Sequence, residues 1–378
     1  MRAVRNVLFL GSVLSLAACG GEMTSEADEL GQTGAPLHQA SPGLRIDGSY
    51  IIKVKDGANA RAVAAVAGVS PRYEYSIING FAATLNPGQL NALRQLSDVE
   101  YVEEDQVVQA DATQTGATWG LDRIDQRALP LNGTYTYTTT ASTVTAYIID
   151  TGLQTNHPEF GTRAANVYDA FGGTGADCHG HGTHVGGTVG GTTYGVAKDV
   201  KLRGVRVLDC AGSGSNAGVI AGMDYVRVNA TKPAVANMSL GGGYSATVNT
   251  SANNLANSGV FLAVAAGNNS GDACSYSPAS ATAATTVGST TSTDARSSFS
   301  NFGTCVDIYG PGSSITSARL NGTSTVMSGT SMASPHVAGV GALYKGTYGD
   351  AASSTIDSWL KTNATTLSFG KFLYTGGL

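Results

Sequence analysis

The chain has 378 residues, more than one typical domain needs, and 42% of them are hydrophobic, so it can bury a large core. Charged residues are scarce, at 13%, and the formal net charge is −5, which argues against nucleic acid or an acidic membrane surface as a partner. Fifty glycines sit between strongly apolar runs, a pattern of tight turns in a compact body rather than of low complexity.

Residues 1–19 read as an export signal. Arg2 and Arg5 precede an apolar run over residues 7–16, too short to span a bilayer as a helix. The run ends Leu16-Ala17-Ala18-Cys19, the small-residue pattern of a bacterial lipoprotein signal whose cysteine carries the lipid; an ordinary secretory signal is the competing reading. A lipidated Cys19 also accounts for an odd total of five cysteines. No transmembrane span is expected after residue 19.

Residues 20–48 are small and polar without periodicity, and are expected to form a linker. A compact unit follows over residues 49–111. Its strand at 50–55 precedes an Ala-rich helix at 59–68, and extended residues at 72–85 break near Asn79-Gly80. A second helix, at 87–96, opens with Pro87, and a strand at 99–109 closes the unit. That βαββαβ order predicts a small α+β, ferredoxin-like domain. About 60 residues make a marginal fold that needs a partner surface; an independent binding module is the alternative.

From Ala112 the texture changes. Apolar runs at 144–149, 202–208, 234–240 and 260–266 alternate with helical or Gly-rich stretches. They predict an α/β fold: a doubly wound, mainly parallel sheet with helices on both faces. Several runs end at Asp150, at Ser239-Leu240-Gly241 and at Gly267-Asn268. Ligand sites in such sheets lie at the carboxyl ends of strands. Cys178, Cys210, Cys274 and Cys305 suit an oxidising compartment. Four cysteines allow three pairings, and proximity along the chain favours Cys178–Cys210 and Cys274–Cys305. Each bridge would close a loop worth roughly 3–4 kcal/mol. No Cys-x-x-Cys pair supports a metal cluster.

Three positions carry chemistry. Asp150 ends Ile148-Ile149-Asp150, His181 lies in Gly180-His181-Gly182-Thr183-His184, and Ser331 lies in Gly329-Thr330-Ser331-Met332-Ala333 at the start of a small-residue helix. The free N–H groups of a first helical turn can face a developing negative charge. His181 is the expected base that takes the Ser331 proton, with Asp150 fixing the imidazole's tautomer and stabilising its cation. Asn268 is the expected donor to the tetrahedral oxygen, beside the Ser331 N–H. The order Asp, His, Ser is that of subtilisin-type triads.

Rivals are weaker. Asp-Thr-Gly at 150–152 also occurs in aspartic proteases, but a second copy is missing. His179, His181 and His184 crowd one segment without a His-Glu-x-x-His, so no catalytic metal is expected. His184 reads as a packed structural residue and His179 as an exposed one. Gly329-Thr330-Ser331-Met332-Ala333 does not fit the Gly-x-Ser-x-Gly elbow of lipases. A non-catalytic binding protein on the same scaffold would lack part of the triad, and no part is missing.

With these residues in place, residues 112–378 resemble the proteinase K branch of the subtilase family, its aqualysin-like members most closely. The shared stretches include Trp119-Gly120-Leu121-Asp122-Arg123-Ile124-Asp125-Gln126, His157-Pro158-Glu159-Phe160, Tyr194-Gly195-Val196-Ala197-Lys198 and Asn237-Met238-Ser239-Leu240-Gly241, besides the three catalytic blocks. His179 and Gly186-Gly187 depart from the commoner asparagine and Ala-Gly. The resemblance implies that both cysteine pairs are disulfides. It implies that residues 49–111 are a propeptide, a chaperone and intramolecular inhibitor cleaved off by the enzyme itself, with the cut expected after Asp111. It implies substrate edges at Ser239, Leu240 and Gly241 and at Gly212, Ser213 and Gly214, with Ala265 and Gly267 in an open pocket for apolar or aromatic side chains. It further implies one to three structural Ca²⁺ ions, one held by Asp307 with the carbonyls of Thr282 and Ala284, another by Asp122, Asp125 and Gln126. The expectation is a secreted, monomeric, broad-specificity serine endopeptidase acting on proteins and peptides. Its precursor would be tethered by Cys19 until the cut releases it.

Overall fold

A computed structural model describes residues 34–40, 45–107 and 112–378. The signal, Cys19 and the expected cut after Asp111 lie outside the described residues. The described residues divide into two compact units, the smaller comprising residues 34–39 and 48–104 and the larger the rest of them.

The smaller unit is a five-stranded sheet with two helices. Strands Leu37–His38, Val99–Gln106, Arg45–Val54, Gly80–Thr84 and Tyr73–Tyr75 lie in that order across it. Helices Ala60–Val66 and Pro87–Gln95 connect them, the second closed at its start by a reciprocal Asn86–Gln89 capping box that satisfies two free helix N–H groups. Ile52, Val54, Phe81, Leu93 and Val102 fill its core. The expected break at Asn79-Gly80 is real, between Tyr73–Tyr75 and Gly80–Thr84. A Cβ on Gly80 would stand 2.2 Å from the Ile52 carbonyl, so glycine there lets Gly80–Thr84 pair with Arg45–Val54. The linker differs from its expectation: Leu37–His38 pairs in parallel with Val102 and Glu103. Main-chain pairing of two residues needs no apolar periodicity, which is why polarity hid it.

The larger unit is built on a nine-stranded sheet. Across it the strands run Thr365–Leu367, Gly370–Phe372, Ile308–Pro311, Thr285–Thr290, Phe261–Ala265, Ala234–Met238, Thr145–Asp150, Lys201–Arg206 and Ala164–Asp169. The pairs are parallel except the last hairpin, Thr365–Leu367 with Gly370–Phe372. Alternation in the central strands divides the core between two faces. Ala146, Ile148, Phe261 and Ala263 face one side with Val185, Val189 and Val337. Tyr147, Ile149, Leu262 and Val264 face the other with Val219, Met223 and Leu255. Helices His181–Gly190 and Thr330–Tyr348 therefore cover one face, and Asn216–Asn229 with Ala246–Asn257 the other. This is the doubly wound sheet that the apolar runs predict.

Close approach of the Thr330–Tyr348 helix to the sheet rests on its small residues. A Cβ on Gly341 would lie 2.3 Å from the Phe261 ring. Gly341→Val should therefore destabilise the fold by about 1–3 kcal/mol through overpacking, measured by denaturant unfolding of the serine-blocked enzyme. An unchanged midpoint would show that the helix lifts away freely.

Candidate active site

Parallel strands place their carboxyl ends on one side, and three of them end at functional residues. Asp150 is the last residue of Thr145–Asp150, Ser239 follows Ala234–Met238, and Gly267-Asn268 follows Phe261–Ala265. Two helices begin at the same level, one with His181 as its first residue and one with Ser331 as its second.

Asp150 is fully buried. A carboxylate there is costly without partners, and it has two. The Thr151 N–H donates to its Oδ1 at 2.7 Å, and His181 Nδ1 lies 2.8 Å from Oδ1 and 3.0 Å from Oδ2. This pairing makes Nδ1 the donor and leaves Nε2 as the free base nitrogen. Burial works to lower the His181 pKa, but the charge and hydrogen bond of Asp150, with the Asp177 charge behind them, raise it above the ordinary histidine value.

The Ser331 hydroxyl donates to the Ser239 carbonyl at 3.2 Å. This differs from the expected bond to His181, and the carbonyl is the better acceptor in this rotamer. The Ser331 carbonyl in turn accepts the Ser239 hydroxyl at 2.7 Å. Pro335 explains that bond. It stands four residues after Ser331 inside the helix and has no N–H, so the Ser331 carbonyl lacks its helical donor. Asn237 Nδ2 donates to Ser239 Oγ at 2.9 Å, and Ser334 donates to Asn237 Oδ1 at 2.7 Å. A buried polar chain thus ties the first turn of the Ser331 helix to the strand beside it.

Asn268 is oriented from behind. Its Oδ1 accepts the Thr330 N–H at 2.8 Å and the Thr330 hydroxyl at 3.0 Å, which leaves the Nδ2 donor free to face the cleft. Ser331, Asn268, Leu240, Gly241, Ala265 and Gly267 line one cavity of about 390 Å³. An adjoining one of about 460 Å³ is walled by His181, Gly212, Ser213, Gly214, Ser239 and Leu240, with Leu208, Val219 and Val248 as its apolar floor. Every expected catalytic and edge residue except the buried Asp150 lines this surface.

The three clustered histidines face different partners. His184 is buried, with Nε2 on the carbonyls of Ile315 and Thr325, and burial lowers its pKa to about 4. The His179 ring sits 6.3 Å from that of His181 and opens on the larger cavity. Both disulfides form, Cys178–Cys210 and Cys274–Cys305. The first ties the loop before His181 to the loop before Gly212.

The expected calcium ligands divide. Asp125 Oδ2 accepts the Thr136 N–H, while Oδ1 is buried with no hydrogen-bond partner. Burial, with a smaller push from Asp122, raises its pKa to about 6 against the Thr136 bond. A cation fits that oxygen. Both Asp122 oxygens already accept N–H groups, from Asn132 and Gly133, and the Gln126 side chain donates to Ala128 and Pro130 carbonyls. The Gln126 main-chain oxygen already accepts Arg123, while its side-chain Oε1 is not engaged by the two bonds that Nε2 makes. At the second expected site Asp307 accepts the Thr286 N–H and is paired at 2.6 Å with Lys361, which also pairs with Asp357 at 2.8 Å; Thr282 and Ala284 line a cavity with Asp357. Among the described residues no three His, Cys, Asp or Glu side chains gather as a metal cluster. Thr151, Asp177, Asn237 and Thr330 escaped the sequence reading; a hydroxyl or acid beside a motif gives no signal until the fold aims it.

Comparison with known proteins agrees with this geometry. The subtilase family matches residues 141–377, and the peptidase inhibitor I9 family matches residues 59–111. The chain is 56% identical over 292 residues to an extracellular serine proteinase of Thermus sp. (strain Rt41A), covering 76% of this chain and 71% of that protein. It is 53% identical over 297 residues to alkaline serine exoprotease A of Vibrio alginolyticus, covering 76% of this chain but only 56% of that protein. Proteinase R of Parengyodontium album is 44% identical over 351 residues, 89% of this chain and 90% of its own. The crystal structure of a cold adapted subtilisin-like serine proteinase superposes with a TM-score of 0.68 at 50% identity, covering 69% of this chain and 99% of that one. A buried Asp–His pair, a serine at a helix start and an I9 segment ahead of them place this chain in the subtilase family, as a serine endopeptidase with an N-terminal inhibitor domain.

Proposed function

We propose that this chain is a secreted, self-processing endopeptidase of broad specificity, with Asp150, His181, Ser331 and Asn268 as its reacting groups. The observation that carries the reading is the 2.8 Å bond from His181 Nδ1 to the fully buried Asp150. It leaves Nε2 basic and gives the imidazolium a counter-charge that water cannot screen.

A peptide enters as an added strand along Ser239–Gly241 and Gly212–Gly214, bound by its main chain. Ser331 turns from the Ser239 carbonyl towards Nε2 by rotation about one bond. As Oγ attacks the peptide carbonyl carbon, its proton passes to Nε2 and the carbonyl oxygen gains the charge. The Ser331 N–H and Asn268 Nδ2 receive that charge. Nε2 then protonates the leaving amine, an acyl-enzyme remains, and water repeats the steps to release the acid. Glycines along both edges tolerate many side chains, and the cavity beside Ala265 and Gly267 suits an apolar or aromatic one. The same chemistry cuts after Asp111. With Cys19 lipidated, that cut frees the enzyme from its anchor.

Ser331→Ala should accumulate as a precursor cut only at its signal, and should take no fluorophosphonate label; self-maturation of that variant would refute the assignment. Asn268→Ala should lower kcat by about 10²–10³, the loss measured for the corresponding donor of subtilisin, with KM little changed. A parallel rise in KM would mean that it binds substrate instead.

Calcium is proposed at Asp125 as a structural ion. The raised folded pKa means the protonated form is favoured, so in metal-free enzyme this contribution to stability is complete below pH 3.8 and lost as pH rises through about 6. Calcium should therefore raise the melting temperature at neutral pH. Asp125→Asn should melt above metal-free wild type and respond less to calcium. An undiminished calcium response in that variant would place the ion elsewhere.

A further inference from the structure

One carboxylate that takes no direct part in the triad binds the backbone around two of its members. Asp177 Oδ1 accepts the Thr151 hydroxyl at 2.9 Å, the His179 N–H at 2.9 Å and the Gly180 N–H at 2.8 Å. Its Oδ2 accepts the Thr183 N–H at 2.9 Å and the Thr183 hydroxyl at 2.7 Å. Thr151 follows the catalytic aspartate, and its hydroxyl also accepts the Gly182 N–H at 2.9 Å. Asp177 and Thr151 thus close a polar ring between the end of the Asp150 strand and the first turn of the His181 helix.

Five donors on one half-buried side chain exceed what a helix cap requires, since a cap satisfies one or two N–H groups. Only one of these donors, the Thr183 N–H, belongs to the helix's own N–H set; the others are two hydroxyls, of Thr151 and Thr183, and the loop and cap N–H groups of His179 and Gly180. The helix start also poses an electrostatic problem. His181 is its first residue, where the partial positive charge of free N–H groups opposes protonation of an imidazole. A base that must become imidazolium in the transition state is badly placed there unless something negative compensates.

We propose that Asp177 is a positioning residue for the general base. It holds His181 in register with Asp150 through Thr151 and offsets the helix field, so that the imidazolium forms at low energy. This rests on the triad reading above. The groups facing His181 are Asp150 from the neighbouring strand, Asp177 and His179 from the preceding loop, and His184 one turn on. Arg206, paired with Asp169, lies against the Cys178 and Cys210 sulfurs, and Asp209 faces His179. Of these, Asp150 and Asp177 are the anions that raise the basicity of His181.

The test uses mature enzyme, with active sites counted by fluorophosphonate so that failure of the triad (no label) is distinct from failure of this proposal. Asp177→Asn removes the charge and retains the shape. Loss of the anion disfavours imidazolium, so the acid limb of kcat/KM should move to lower pH, with kcat down by about tenfold to a hundredfold and KM nearly unchanged. Thr151→Val removes the hydroxyl link and leaves the charge; it should lower kcat without moving the limb. A labelled Asp177→Asn enzyme with the wild-type limb and kcat would reduce Asp177 to a helix cap and overturn the proposal. Should that variant yield no folded enzyme, full kcat in Thr151→Val would overturn it alone.

Discussion

A carboxylate wholly withdrawn from water, at the end of a strand buried on both faces, governs this structure. Asp150 is tolerable there only because an imidazole and a main-chain N–H reach it, and these partners dictate what surrounds them. The helix bearing His181 has to start within reach of the strand end. That approach leaves no room for side chains: a Cβ on Gly182 would stand 2.2 Å from the Gly152 carbonyl, and one on Gly152 would stand 2.1 Å from that of Gly175. Small residues in this region allow the Asp150–His181 hydrogen bond to form.

The nucleophile side obeys a similar constraint with different means. Proline inside the Ser331 helix deprives one carbonyl of its donor, and a serine hydroxyl from the adjacent strand replaces it. A local defect of the helix becomes a cross-link between the helix and the end of the adjacent strand. Thr330 does the same service for Asn268, fixing which end of the amide faces the cleft.

Much of this was legible in the sequence, for identifiable reasons. Buried parallel strands announce themselves as unbroken apolar runs, so the sheet and the strand-end positions of Asp150, Ser239 and Asn268 could be read directly. Motif spacing singled out Asp150, His181 and Ser331. What remained hidden depends on groups that meet only in three dimensions. Asp177 sits in a polar loop with nothing in its neighbours to mark five donors converging on it. Lys361 lies 54 residues beyond Asp307 along the chain, so their ion pair had no local trace. The strand at Leu37–His38 is invisible because two paired residues carry no period.

One topological fact has a temporal consequence. Every junction in the large sheet except the terminal hairpin joins parallel strands, and each such junction encloses a long excursion of chain. Loops of that size must close before their pairing stabilises them, so assembly of this body is slow. During that interval an enzyme that digests polypeptides is surrounded by unfinished copies of itself. Delay in one part of the molecule is thus a hazard created by the chemistry of another, and an inhibitor domain carried on the same chain answers it.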